Sequence, residues 1–133
     1  MKVTGRCHCG QIAYEAEVDP ARAQVCHCTD CQRLSGSAYR VNVPAPAETF
    51  VLRSGRLSTY LKTAESGSQR IQAFCGNCGA PVYSAAPVEP KMYSLRIGGL
   101  DQAALLAPMR QIWRRSALQW AQDIHELPQV PTQ

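Results

Sequence analysis

Three tight groups hold all seven cysteines of the 133-residue chain: Cys7-His8-Cys9, Cys26-His27-Cys28-Thr29-Asp30-Cys31 and Cys75-Gly76-Asn77-Cys78. An odd count cannot close a complete disulfide framework. C-x-C and C-x-x-C spacings on glycine-rich turns instead gather thiolates around one ion, and zinc takes four such sulfurs in a tetrahedron. Seven divides into four and three. Cys7, Cys9, Cys75 and Cys78 form a closed four-thiolate set, and Cys26, Cys28 and Cys31 form a three-thiolate set with one position open. Closed zinc sites are structural, whereas an open position is where a ligand or reactant enters. The expectation is two zinc ions per chain, one holding the fold and one available for chemistry.

Geometry constrains the first set. Sulfurs about 2.3 Å from zinc lie only about 3.8 Å apart, closer than an extended C-x-C can bring them. The chain must bend at Cys7–Cys9, between Gly5 and Gly10. In Cys75-Gly76-Asn77-Cys78-Gly79, glycine and asparagine tolerate positive φ, which lets backbone amides turn toward the sulfurs.

No fourth cysteine remains for Cys26, Cys28 and Cys31. Water, a histidine or a substrate thiol can complete the tetrahedron. A thiol bound there would be deprotonated and held beside whatever electrophile docks next to it. His27 or His8 as fourth ligand is the alternative, and a Cys28–Cys31 redox couple is a third. Neighbouring side chains on a turn diverge, which makes His27 an awkward partner for Cys26 and Cys28. The histidines can also orient ligands by hydrogen bonding. Arg33, Ser35, Gly36 and Ser37, just beyond this group, offer donors to a carboxylate or amide. The competing reading of them is helix capping and solvent exposure.

These groups need a scaffold of short strands. Gln11–Val18 alternates, with Ile12, Tyr14, Ala16 and Val18 on one face. Ala38–Val43 is a second strand, ended by Pro44 and Pro46. Thr49–Leu52 and Leu57–Leu61 flank Ser54-Gly55, the pattern of a hairpin. Gln69–Phe74 enters the third cysteine group and Pro81–Ser84 leaves it; Met92–Ile97 and Met109–Arg114 follow. Helix is limited to a turn at Cys31–Leu34 and a short segment over Gln102–Leu106 capped by Asp101. Ser116–Ala121 is ambiguous, and the segment from Leu127 on is irregular. The reading is one mostly-β domain over residues 1–133, with short helical turns.

Composition narrows the function classes. There is no long apolar run for a membrane helix and no apolar signal region after Met1, so a cytosolic protein with reduced thiols is expected. The formal charge of +4 counts thiols as neutral. Seven thiolates remove seven charges and two zinc ions restore four, which leaves about +1. Lysine and arginine are scattered. A nucleic-acid partner is not expected.

The motifs Gly5-Arg6-Cys7-His8-Cys9-Gly10, Cys26 through Ser37, and Phe74 through Ser84 resemble, in this order, the glutathione-dependent formaldehyde-activating enzyme family, which includes relatives of centromere protein V. Gly98-Gly99-Leu100-Asp101, Ile112-Trp113 and Leu127-Pro128-Gln129 extend the likeness. The resemblance implies a zinc-stabilised β-tent, a structural zinc at Cys7, Cys9, Cys75 and Cys78, and a catalytic zinc at Cys26, Cys28 and Cys31. It also implies a carbon–sulfur lyase reaction joining glutathione and formaldehyde. If the chain is such an enzyme, Arg33 and the Ser35-Gly36-Ser37 turn are expected to hold the peptide part of the thiol. Relatives often carry a histidine before the Ile-Trp pair, where this chain has Gln111.

Three functions compete. The first is an enzyme that binds glutathione or a similar thiol and forms or cleaves its adduct with a small aldehyde. The second is a thiol carrier or zinc-stabilised interaction module without turnover, favoured by the absence of a clear histidine–carboxylate pair. Methionine sulfoxide reduction needs a reactive cysteine outside the zinc sites, and none is left. Composition leaves the oligomeric state open.

Overall fold

The computed structural model describes residues 1–133. Ten strands and one α-helix follow in order. They are β1 (Lys2–Arg6), β2 (Ala13–Glu17), β3 (Gln24–Cys26), α1 (Thr29–Ser35), β4 (Arg40–Pro46), β5 (Val51–Ser54), β6 (Leu57–Thr63), β7 (Gln69–Cys75), β8 (Pro81–Ala85), β9 (Met92–Arg96) and β10 (Arg110–Ile112). Short 3-10 turns lie in the β2–β3, β4–β5 and β9–β10 connections and in much of the chain beyond β10. No helix is long and apolar enough to cross a membrane.

The strands form two sheets. A small one has the order β1-β2-β5, and a large one the order β10-β3-β4-β9-β8-β7-β6. All pairings are antiparallel except β10 with β3. This two-sheet, mostly-β architecture is the fold class that the cysteine-motif resemblance implied.

The core lies between the sheets. Ile12, Tyr14, Ala16 and Val18 are all buried, as their alternation predicts, and they pack with Val3, Val43, Val82 and Leu95. Tyr14, Phe50, Tyr83 and Tyr93 add an aromatic cluster in which Tyr83 and Tyr93 stack at 4.2 Å and Phe50 meets both edge-on. Gly5 sits opposite Tyr14 in the β1–β2 register, where any Cβ would overlap the tyrosine ring. It clears space in a strand rather than bending the cysteine turn.

Several elements depart from sequence expectation. Pro44 and Pro46 do not end β4. Beyond Asn42 the strand pairs only with β9, and Ala47 N–H bonds Lys91 O on that side. The alternate positions, both prolines, face the side that β3 has already left, so no ladder bond is lost. Ser54-Gly55 is not a hairpin: β5 pairs with β2 and β6 with β7, so the chain changes sheets there. Gly55, with φ +80°, lies so close to Gln11 O that a side chain cannot fit. Asp101 caps no helix; it accepts from Thr4 Oγ1 at 2.7 Å, and Ala103–Leu105 is a 3-10 turn. β1 and β3 had no recognised signal, being short and lacking repeated alternation.

Candidate metal centres and the cavities beside them

The first and third cysteine groups come together. The turn after β1 and the turn between β7 and β8 bring the Sγ atoms of Cys7, Cys9, Cys75 and Cys78 within 4.8 Å of one another. Cys7 and Cys9 are 3.5 Å apart and Cys9 and Cys75 are 3.7 Å apart. A disulfide needs about 2.05 Å, whereas sulfurs on one zinc need about 3.8 Å. Gly10 (φ +82°) and Gly79 (φ +78°) make the two turns possible. Ile12 N–H donates to Cys7 Sγ at 3.2 Å. Backbone amides of Ala80 and Cys9 hold the Cys78 thiol down to about 6. An all-sulfur donor set at tetrahedral spacing, with amides aimed at the sulfurs, fits zinc.

The second group gathers too. Cys26 closes β3, Cys28 caps α1 by accepting from Cys31 N at 3.3 Å, and Cys31 lies in the helix's first turn. Their three sulfurs lie within 4.8 Å of one another, and no histidine, aspartate or glutamate joins them. The interaction between the Cys26 and Cys31 thiols lowers the Cys26 pKa and raises that of Cys31. Three soft donors without a fourth fit zinc with one position left for another ligand.

β10 fixes this group from the side. His27 N–H bonds Ile112 O at 3.1 Å, and His27 Nε2 donates to Gln111 Oε1 at 2.8 Å. The His27 ring is buried and its Nδ1 has no partner. Gln32 ties α1 to both flanks, donating to His27 O at 2.8 Å and Ser116 O at 2.9 Å.

Cys28 opens onto a cavity of about 600 Å³ whose wall includes Asp30, Lys62, Trp113, Arg115 and Ser116. Lys62 Nζ pairs with Asp30 Oδ2 at 2.6 Å, and the Arg115 guanidinium lies 5.0 Å over the Trp113 ring. Trp113 adopts φ +58°, a left-handed conformation that costs a bulky residue about 1–2 kcal/mol.

A second cavity, about 920 Å³, runs from Cys7–Gly10 past Ser35 and Tyr39 to Arg40, Arg96 and Gly98–Gly99. Ser35 thus lines a cavity. Arg33 and Gly36 are exposed and line neither of the two, Gly36 closing α1 in the left-handed conformation. Arg40, Arg96 and Lys62 lie in no recognised motif, and Trp113 only in the Ile112-Trp113 pair. No spacing rule joins residues that meet only through the order of the strands.

Comparison with known proteins follows this geometry. The profile of the family described as "Glutathione-dependent formaldehyde-activating enzyme" matches residues 2–116. A Halomonas elongata protein provisionally named a glutathione-dependent formaldehyde-activating enzyme is 24% identical over 114 residues, covering 83% of this chain and 73% of its own. The crystal structure of a Rhodobacter sphaeroides protein superimposes with a TM-score of 0.63 at 23% identity, covering 84% of this chain and 99% of that one, which is likeness of fold. With the family profile spanning both cysteine sites and all ten strands, the chain belongs to the glutathione-dependent formaldehyde-activating enzyme family.

Proposed function

We propose that this protein binds glutathione or a similar small thiol at Cys26, Cys28 and Cys31, and joins it to formaldehyde or another small aldehyde, or cleaves that adduct. One observation carries the reading: a three-sulfur cluster with no fourth protein donor, one of whose sulfurs, Cys28, faces a cavity. In the forward direction the thiol sulfur bonds to the carbonyl carbon. The C=O π pair moves to oxygen, which takes up the proton that the thiol gives up, and no electrons are gained or lost. Zinc held by Cys26, Cys28 and Cys31 would supply Lewis acidity that favours the deprotonated thiol.

The chain's own groups do the rest. Lys62, fixed by Asp30, and Arg115, stacked on Trp113, line the cavity and would offer N–H donors to thiolate sulfur and the developing alkoxide. The indole supplies an apolar face. Cys7, Cys9, Cys75 and Cys78 would hold a second zinc with a structural role.

A thiol carrier without turnover is the second reading. It is favoured by His27, whose Nε2 is tied to an amide rather than to a carboxylate, so no conventional general base faces the cysteines. Calorimetric titration of zinc-loaded protein with glutathione, against S-methylglutathione, tests capture of the sulfur. Binding of glutathione alone is expected; equal binding of both would overturn it. Rate enhancement over the uncatalysed thiol–aldehyde reaction separates enzyme from carrier.

A further inference from the structure

Arg40 on β4 and Arg96 on β9 are each only 6% exposed, and neither has a carboxylate partner. They lie side by side because Asn42 is the register partner of Arg96 and Arg40 is two residues away on the same face. Both guanidiniums converge on one neutral oxygen, Gln72 Oε1, Arg40 Nη1 at 3.2 Å and Arg96 Nη2 at 2.9 Å. Arg96 Nη1 also donates to Asn42 Oδ1 at 2.5 Å. The Nε of each is buried without an acceptor. Arg40 spends only Nη1 on the protein, which leaves Nη2 free to donate to an anion.

Two like charges buried together with unused donors are costly unless an anion reaches them. The cysteine cluster at Cys26 and Cys31 supplies part of the balance. Both arginines line the larger cavity. Asp101 lines the same cavity but is engaged by Thr4 and Arg6.

We infer that Arg40 and Arg96 form a binding site for the carboxylate of a small molecule occupying the cavity between them and the Cys7–Gly10 turn. The site does not depend on the thiol chemistry proposed above. The carboxylate can belong to the thiol ligand itself or to a separate acid.

The test is titration of zinc-loaded protein with succinate, and separately with inorganic phosphate, followed by the 1H–15N signals of arginine Nε. The two signals are assigned by their loss in Arg40→Gln and Arg96→Lys proteins. Saturable shifts of both with succinate are expected, with at least a tenfold loss of succinate affinity in Arg40→Gln and no loss in Arg56→Gln, which changes an exposed side chain elsewhere. The wild-type titration stands alone if a variant does not fold. Absence of a saturable shift, saturation by phosphate only, or unchanged affinity in a folded Arg40→Gln protein would overturn the site. Competition between glutathione and succinate would place the carboxylate on the thiol ligand, and simultaneous binding would place it on a separate acid. If glutathione fails to bind while succinate still does, the thiol reading falls and the carboxylate site stands.

Discussion

His27 Nε2 donates to Gln111 Oε1 at 2.8 Å, joining the residue between two cysteines of the open cluster to a residue 84 positions later. The bond makes Nε2 the protonated nitrogen of a buried ring. It also puts beside the open cluster an amide that accepts a hydrogen bond but not the proton.

Removing that amide leaves a buried donor unpaired. Gln111→Ala should cost about 1–3 kcal/mol. At this chain length the melting temperature should fall by several degrees, and thermal unfolding of zinc-loaded protein measures it. Zinc at the nearby cluster should become easier to remove by chelator, because β10 then loses its side-chain bond to the residue between Cys26 and Cys28.

The two cysteine clusters should separate in their consequences. Cys28→Ser is expected to keep the fold, to bind about one zinc per chain instead of two, and to lose thiol binding. Cys78→Ser should lose folding itself, since metal binding in a closed site is folding free energy. Circular dichroism with metal analysis on both proteins is the check. A folded Cys28→Ser protein with unchanged thiol affinity would sink the proposed mechanism.

Burial raises the Tyr14 pKa from 10.0 to about 12. The folded state therefore keeps this proton over a range in which the unfolded chain releases it. Stability should be full below pH 10 and decline as the pH rises from there toward 12. The Tyr14 hydroxyl has no hydrogen-bond partner. Tyr14→Phe should consequently be as stable as the parent or slightly more so at neutral pH, and should show a shallower alkaline decline. Denaturant midpoints across that range, compared between the two proteins, decide it.

Trp113→Gly should relieve the left-handed backbone strain, keeping stability within about 1 kcal/mol of the parent despite the lost side chain. Thiol affinity should nevertheless weaken, because the indole and the guanidinium it orders leave the cavity wall. Unaltered affinity would remove Trp113 from the binding site.

Much of the site was legible because metal ligands announce themselves by spacing. Cys7 with Cys9, Cys75 with Cys78, and the Cys26–Cys31 run each need only a turn to converge, and turns are local. Burial of Ile12, Tyr14, Ala16 and Val18 was legible for the same reason, as a strand's alternation is written in its own residues. The arginine pair was not. Arg40 and Arg96 meet because β4 lies beside β9, a fact about pairing that neither strand encodes alone. β3 has three residues, too few to alternate detectably, yet it positions Cys26. The Ser54-Gly55 turn was misread because turn chemistry specifies a reversal, not which sheet the next strand joins.

The prolines of β4 have an effect beyond the register they tolerate. Where β3 stops, Pro44 and Pro46 leave that stretch of margin without amide hydrogens at every second residue. An unprotected margin recruits the backbone of other chains and seeds aggregation. Here an incoming strand would find acceptors and no donors, so the large sheet cannot be extended by a foreign strand at that place.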